Sequence, residues 1–479
     1  MLNLDKSSAN RVFHYFSEIC AIPHGSGNMA EISKYCVNFA KKHGLKYIKD
    51  DSSNVIIYKA ASKGYEKAAS IILQGHLDMV CQKESDYDID FLKDAINPYI
   101  DGDFIKAHGT TLGADNGIAV AMILAILENN DLLHPAIEAV FTTDEEIGLL
   151  GAATLDKGLL SAKKMINLDS ESPDVITVSC AGGSDFSAII PFESVKAQGT
   201  KATIIIDGLK GGHSGVMIDK GRVNADILGA RLLYHLSKHC DFELISINGG
   251  DKGNAIPLKC EIEVCTKDAF SFKNTAEEYI KIIKSEISCR EPDFEAEIII
   301  GEFGKFDTIG KLKDRLISTI LCIPNGVIEM SAEIDGLVET SLNLGILKTE
   351  QNKIIMASAL RSNKKTSLEF LEEKMIAYFE GMDCEIKTGG HYPPWEFNPD
   401  SQLIGLYKEQ FQKVFGAVPK VEAVHAGLEC GVFADVIDGF DCISVGPEMY
   451  DIHTTKERLS ISSTEQLYKL LLEILAQCR

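Results

Sequence analysis

Apolar positions near the start of the chain recur at helical spacing. Val12, Phe13, Phe16, Ile19 and Cys20 form one stripe, which predicts an opening helix over Ala9 to Cys20. Val55–Tyr58, Ser70–Leu73, Ile137–Phe141 and Met165–Leu168 are short apolar runs with the length of buried strands. Between them, Ile118–Leu127 is apolar on every face, the pattern of a helix packed against a sheet. Short apolar strands separated by helices predict a mixed α/β sheet covered by helices on both faces.

The middle of the chain changes style. Thr203–Ile206, Glu261–Val264 and Ala296–Ile300 read as strands, with helices over Ala225–Leu236 and Glu277–Ile287. A similar order follows: strands at Leu337–Leu347 and Lys353–Ala359, a helix at Leu368–Phe379 and a strand at Cys384–Lys387. This recurrence predicts an α+β insertion built from two βαββαβ-like copies. The earlier style returns with a helix at Leu403–Phe415, a strand at Cys442–Val445 and a closing helix at Thr464–Ala476. The expected organisation is therefore a discontinuous catalytic domain, residues 1–186 and 391–479, carrying an inserted second domain over residues 187–390.

Composition narrows the function classes. Acidic residues outnumber basic ones 70 to 48, a formal charge of -22. That sign repels phosphate backbones and anionic lipid, which argues against nucleic acid and membrane surfaces as partners. The 13 cysteines include no Cys-x-x-Cys pair, and the closest two, Cys260 and Cys265, fall in a strand-like stretch; they read as buried thiols in a reducing compartment. Met1–Asn10 has no apolar signal core, and no segment is long and apolar enough to span a bilayer. The expectation is a soluble cytoplasmic protein.

Candidate chemistry sits where the apolar runs stop. Ile71-Ile-Leu-Gln-Gly ends at His76, Val140-Phe-Thr-Thr-Asp at the pair Glu145 and Glu146, and Ile166-Asn-Leu at Asp169. Ile443-Ser-Val-Gly-Pro leads through a short loop to His453. The C-terminal ends of strands in an open α/β sheet converge on one crevice, so these distant residues are expected to form one cluster. Asp115, in Gly113-Ala-Asp-Asn-Gly117, completes it just before the buried helix.

Two histidines with several carboxylates suit zinc, manganese or cobalt rather than calcium, and Irving–Williams affinity favours zinc. Five ligands exceed the need of a single catalytic zinc and point to two divalent ions, with Asp115 spanning them. Such a pair would hold a hydroxide and polarise a carbonyl. Of Glu145 and Glu146, one would ligate and the other move a proton; the residues alone leave open which. Asp78, two positions after His76, could accept that histidine's second N–H.

The segments Gly75-His-Leu-Asp78, Gly113-Ala-Asp-Asn-Gly117, Thr142-Thr-Asp-Glu-Glu146 and Asn167-Leu-Asp169 resemble the cocatalytic zinc peptidases, the family that includes carnosinases, tripeptidase and succinyl-diaminopimelate desuccinylase. Ala21-Ile-Pro-His-Gly-Ser26, His425-Ala-Gly-Leu-Glu-Cys-Gly431 and Ser444-Val-Gly-Pro447 resemble its subgroup acting on dipeptides that end in histidine. The resemblance implies that His76 and Asp169 ligate one metal, Glu146 and His453 the other, and Asp115 both. It makes Glu145 the general base and Asp78 the residue orienting His76. Gly211-Gly-His-Ser-Gly215 is similar to the lid motif whose histidine, here His213, stabilises the developing oxyanion.

Asn254 and Arg361 are candidates for holding the substrate's terminal carboxylate, since the guanidinium fork donates two parallel hydrogen bonds. Glu429 would face the substrate's free amine or brace its loop. The implied activity is a metallo-dipeptidase cleaving Xaa-His peptides, β-alanyl-histidine among them, within a lid that closes on a small peptide. An amide deacylase would use the same metal site, and a scaffold that had lost activity would keep the metal alone. Monomer and homodimer both fit the sequence, and with them His213 acting in its own chain or across a dimer.

Overall fold

The protein is described by a computed structural model covering Leu2 and residues 4–479. It divides into two compact units. The first comprises the chain up to Cys180 with Trp395–Ala423 and Leu428–Arg479; the second comprises Ala181–Pro394 with Val424–Gly427. The short His425 segment, placed in the catalytic portion by the sequence pattern, thus packs with the inserted unit.

The first unit is built on an eight-stranded sheet in the order Lys46–Lys49, Val55–Lys59, Ile137–Thr142, Ile71–His76, Lys164–Asn167, Asp441–Ser444, Val175–Cys180, Lys420–Val424. Its four central strands are parallel, with His76 opposite Thr142, Gln74 opposite Asn167 and Ser444 opposite Asn167. Their C-terminal ends therefore fall at one level. The opening helix, Asn10–Cys20, buries Val12, Phe13, Phe16, Ile19 and Cys20, the stripe that predicted it.

The all-apolar run lies inside the helix Ala114–Glu128, with Ile118 to Leu127 buried without exception. Each Ile or Leu so buried contributes roughly 1.5–3 kcal/mol relative to exposure. The end of this helix is closed by a buried lysine. Lys59 Nζ donates to the carbonyls of Ile126, Leu127 and Asn129 at 3.2, 2.8 and 2.6 Å. A cation there satisfies orphan carbonyls and opposes the negative end of the helix dipole.

The sequence pattern did not show a four-stranded sheet made of Met449–Tyr450, Arg458–Ser460, Phe104–Ala107 and Pro98–Asp101. Two of its strands have only two or three residues, too few for a period to register. It turns the segment after Pro447 into a hairpin, Met449 opposite Leu459 and Tyr450 opposite Arg458, with His453 in the connecting loop.

The second unit holds a nine-stranded sheet. One half reads Val195–Asp207, helix Ala225–Ser237, Phe242–Gly249, Cys260–Thr266, helix Ala269–Ile287, Glu295–Thr308, which is βαββαβ in chain order. The other half has the same order, but its first strand is Gly182–Pro191, followed after the whole first copy by helix Lys313–Cys322, Val338–Glu350, Lys353–Ser362, helix Lys365–Glu380 and Glu385–Tyr392. Read from either edge of the sheet, strands run fourth, first, third, second, and the copies meet where Gly249 pairs with Leu347. The duplication expected from sequence is present, with one correction: the first copy is inserted within the second rather than preceding it. Gly182–Pro191 escaped notice because it opens on two glycines and ends on proline, which mask its alternation.

One buried group in this core opposes stability. Asp226 has no exposed surface, and its carboxyl oxygens lie against Cys260 with no other hydrogen-bond partner among the described residues. Burial pushes its pKa up to about 8 from an ordinary 3.8. A raised carboxyl contributes its full stability below the unfolded value and loses it as pH climbs through the folded one. Asp226→Asn is therefore expected to raise the melting temperature by an increment that grows from about pH 4 to about pH 8. Calorimetry at several pH values checks this, and a pH-independent gain would contradict it.

Candidate metal centre

The parallel register delivers the predicted residues to one place. His76 ends its strand, Asp169 follows Lys164–Asn167 by two residues, and Glu145 and Glu146 follow Ile137–Thr142. Asp115 enters from the start of the buried helix, where it and Asn116 leave helical geometry. That approach needs glycine at position 75: a Cβ there would lie 2.6 Å from Asn116 Oδ1 and 3.0 Å from Ala119 Cβ. Gly113, at φ 70°, makes the left-handed turn into the helix.

Asp115 is the hub. Its Oδ1 lies 3.2 Å from His76 Nε2 and its Oδ2 lies 3.0 Å from His453 Nε2. His76 Nε2 is also 3.3 Å from Asp169 Oδ1, and His453 Nε2 is 2.9 Å from Glu146 Oε1. One carboxylate thus faces two sets, His76 with Asp169 and His453 with Glu146. Ligand atoms of His76, Asp115 and Glu146 all lie within 4.8 Å of one another. His453 adopts a positive φ of 61°, rare for a residue with a Cβ, to aim its ring inward.

The electrostatics follow from this crowding. Hydrogen bonds to Asp115 and then Glu146 push His453 up to about 10. At His76 burial opposes the charge, yet Asp169, Asp115 and Asp78 together hold the imidazole well above its ordinary value. Burial, with Asp169, Glu429 and Glu146, drives the Glu145 carboxyl well above the usual range against the pull of His76. A proton on either histidine occupies a position a cation would take.

Asp78 does more than the sequence suggested. His76 Nδ1 lies 3.0 Å from the Asp78 main-chain oxygen and 3.5 Å from its carboxylate. The carboxylate itself accepts from the backbone N–H groups of Glu145 and Glu146 at 3.0 and 3.2 Å, and from Ser26 Oγ at 2.8 Å. It therefore ties the histidine strand to the turn that carries both glutamates. Burial opposes its ionisation, but His76 and these donors hold it at about 2.

Glu429 is completely buried. Gln74 Nε2 and Thr142 Oγ1 donate to its Oε2 at 2.5 and 2.7 Å, while Oε1 has no partner among the described residues. These contacts tie the Glu429 carboxylate to two strands of the central sheet. Sequence reasoning also missed Asn116, whose Nδ2 donates 2.6 Å to Asp169 Oδ1, and Glu457, which holds the backbone at Asp115. Asn116 lay inside the Gly113–Gly117 segment without being given a role, and Glu457 follows no apolar run.

Within the second unit, His213 and Arg361 keep donors available. Gly215 and Val216 N–H groups point at His213 Nδ1 from 3.2 and 3.3 Å, which makes Nδ1 the acceptor and leaves the proton on Nε2. Burial, then Arg361, lowers its pKa, so the neutral imidazole donates from Nε2. Arg361 is buried; Nη1 donates 2.7 Å to the Tyr392 hydroxyl, and its Nε has no partner among the described residues. Asn254 is exposed. His425, present in the sequence motif but given no role there, is buried between Ser341 Oγ at 2.7 Å and Asn363 Oδ1 at 3.0 Å.

A parallel-centred sheet whose strand ends, with a helix start and a hairpin loop, gather two histidines and four acids, together with an α+β insertion, defines a metallopeptidase-type fold. The chain matches the model of peptidase family M20/M25/M40 over residues 72–477 and belongs to that family. It is 35% identical over 481 aligned residues to the cytosol non-specific dipeptidase of Escherichia coli K12, covering 100% of this chain and 99% of that protein. Aminoacylhistidine dipeptidase of Vibrio alginolyticus superposes with a TM-score of 0.87 at 33% identity, over 98% of this chain and 96% of the other. An aminopeptidase of Bacillus cereus shares the fold at a TM-score of 0.59 and 17% identity, over 98% and 99% of the two chains. Among the described residues no helix is long and apolar enough to cross a membrane.

Proposed function

We propose that the chain is a metal-dependent dipeptidase with a two-ion centre and a preference for Xaa-His substrates. The observation that carries this reading is the division of the Asp115 oxygens between His76 and His453, since a carboxylate facing two ligand sets suits a bridge between two cations. His76 with Asp169 and His453 with Glu146 would hold the ions, zinc being favoured by affinity. Bound there, the ions supply an activated water and polarisation of the scissile carbonyl. The similarity to dipeptidases from Escherichia coli and Vibrio alginolyticus supports the substrate class, and the latter supports histidine at the second position. The name of the Escherichia coli relative supports a cytosolic setting.

The chain's own residues do the rest. Glu146, not Glu145, reaches His453, which leaves Glu145 to take the proton from water and pass it to the leaving amine. Burial raises its proton affinity, the direction that suits a group taking and passing a proton. Asp78 fixes the main chain of both glutamates, so base and ligand keep their separate positions. His213 Nε2–H offers a neutral donor to the oxyanion. Arg361, oriented by Tyr392, offers its remaining donors to the terminal carboxylate, with Asn254 beside that role.

The test is amino-acid release from a panel of dipeptides, including β-alanyl-histidine and other Xaa-His peptides, alongside N-acylated amino acids. Chelated protein is assayed before and after zinc, manganese or cobalt is restored. Metal-dependent cleavage of free-amine dipeptides, led by those ending in histidine, is the expected result. Cleavage of the acylated substrates alone would make this a deacylase on the same site, and silence with every metal would leave a scaffold.

A further inference from the structure

We infer that Glu457 is a positioning residue for Asp115, setting where that carboxylate stands by gripping the main chain that carries it. The inference rests on the two-ion dipeptidase reading above and assigns a role within it to a residue outside the ligand set.

The contacts are unusually complete for one side chain. Glu457 is 3% exposed. Its Oε2 accepts from the N–H groups of Leu112 and Gly113 at 2.7 and 3.1 Å, and its Oε1 from those of Ala114 and Asp115 at 2.8 and 3.4 Å. Four consecutive backbone donors therefore converge on one carboxylate. Such a turn is an anion-holding concavity, and a helix N-terminus behind it adds to the attraction. Hydrogen bonds to an ionised acceptor are about twice as strong as neutral ones.

The other end of the same helix is closed by the Lys59 ammonium. An anion at the start and a cation at the end oppose both poles of its dipole. The two caps act on opposite ends, and only the Glu457 end carries Asp115, whose own N–H is among the four that Glu457 accepts from. The hairpin loop that carries Glu457 also carries His453, which faces Asp115 Oδ2 at 3.0 Å. One loop thus fixes both members of that contact: it presents the imidazole and anchors the backbone of the carboxylate opposite.

A plain structural cap would stabilise the helix without touching the metal site, and Lys59 supplies the comparison. It caps the same helix about 18 Å from Asp115, counting roughly twelve residues at 1.5 Å each. The experiment uses the full chain at pH 8, with Glu457→Gln and Lys59→Met beside wild type. Metal-stripped protein is titrated calorimetrically with zinc, melting temperatures are taken, and kcat and KM are measured on a dipeptide.

Glu457→Gln is expected to weaken zinc binding by about 10–100-fold and lower kcat over the same range, as loss of a residue that orients a ligand does. KM should change by less than about twofold, a split that differential binding in the transition state predicts. Lys59→Met should lower the melting temperature while zinc affinity and kcat stay within about twofold of wild type, because its site is remote. Wild-type zinc affinity and kcat in Glu457→Gln would overturn the inference, as would equal losses in Lys59→Met. If Glu457→Gln does not fold, Glu457→Asp carries the test, its carboxylate drawn back by one methylene; a loss of zinc affinity and kcat supports the role and wild-type values overturn it. An active, zinc-binding wild type beside an unaffected Glu457 variant overturns the role of Glu457 alone. A wild type that takes up no zinc and cleaves no dipeptide overturns both readings.

Discussion

Glu145→Ala is expected to lower kcat on a dipeptide by about 100–10,000-fold, the range for removing a positioned general base, while metal content stays at the wild-type level. The reason is geometric. Glu146 Oε1 is engaged with His453 at 2.9 Å, whereas no such contact among the described residues engages Glu145, the residue proposed for proton transfer. Elemental analysis of the purified variant beside its kinetics separates the two roles. Metal lost from Glu145→Ala but retained in Glu146→Ala would invert them.

Asp115→Asn is expected to remove activity more completely and to take metal with it. A neutral amide presents one oxygen and one NH2 group where two anionic oxygens now face His76 and His453. One ligand set therefore loses its acceptor, and both lose charge. Turnover should fall by well over the roughly 10–100-fold that an outer residue costs, and metal stoichiometry should drop below wild type. Full activity with unchanged metal content in Asp115→Asn would remove the bridge from the account. These two variants differ in the metal column, which makes them more informative together than either alone.

How the residues announced themselves in sequence explains what was readable. His76, the Glu145–Glu146 pair and Asp169 each close an apolar run, and the pleat and twist of a parallel sheet carry such ends to one level. Asp115 was marked by flanking glycines and by the buried helix it precedes. The βαββαβ repeat was visible as a recurring order of strands and helices, but the insertion of one copy inside the other was not, because Gly182–Pro191 lies some distance before its partners. The two-residue strand at Met449–Tyr450 left no period to detect, so the hairpin holding His453 and Glu457 was invisible.

By itself, then, the sequence determined the fold class, the positions of the five ligand candidates and the chemistry they suit, because periodicity and side-chain type are local properties. Tertiary structure decided what depends on distance. It divided the Asp115 oxygens between two histidines and gave Glu146 rather than Glu145 to His453. It turned the Asp78 carboxylate toward two backbone amides and buried Glu429 against Gln74 and Thr142. It also brought Glu457 onto amides 342 to 345 positions away. A hydrogen bond is directional and fails within a fraction of an ångström, so its partner is fixed only once strands, helix and hairpin have packed.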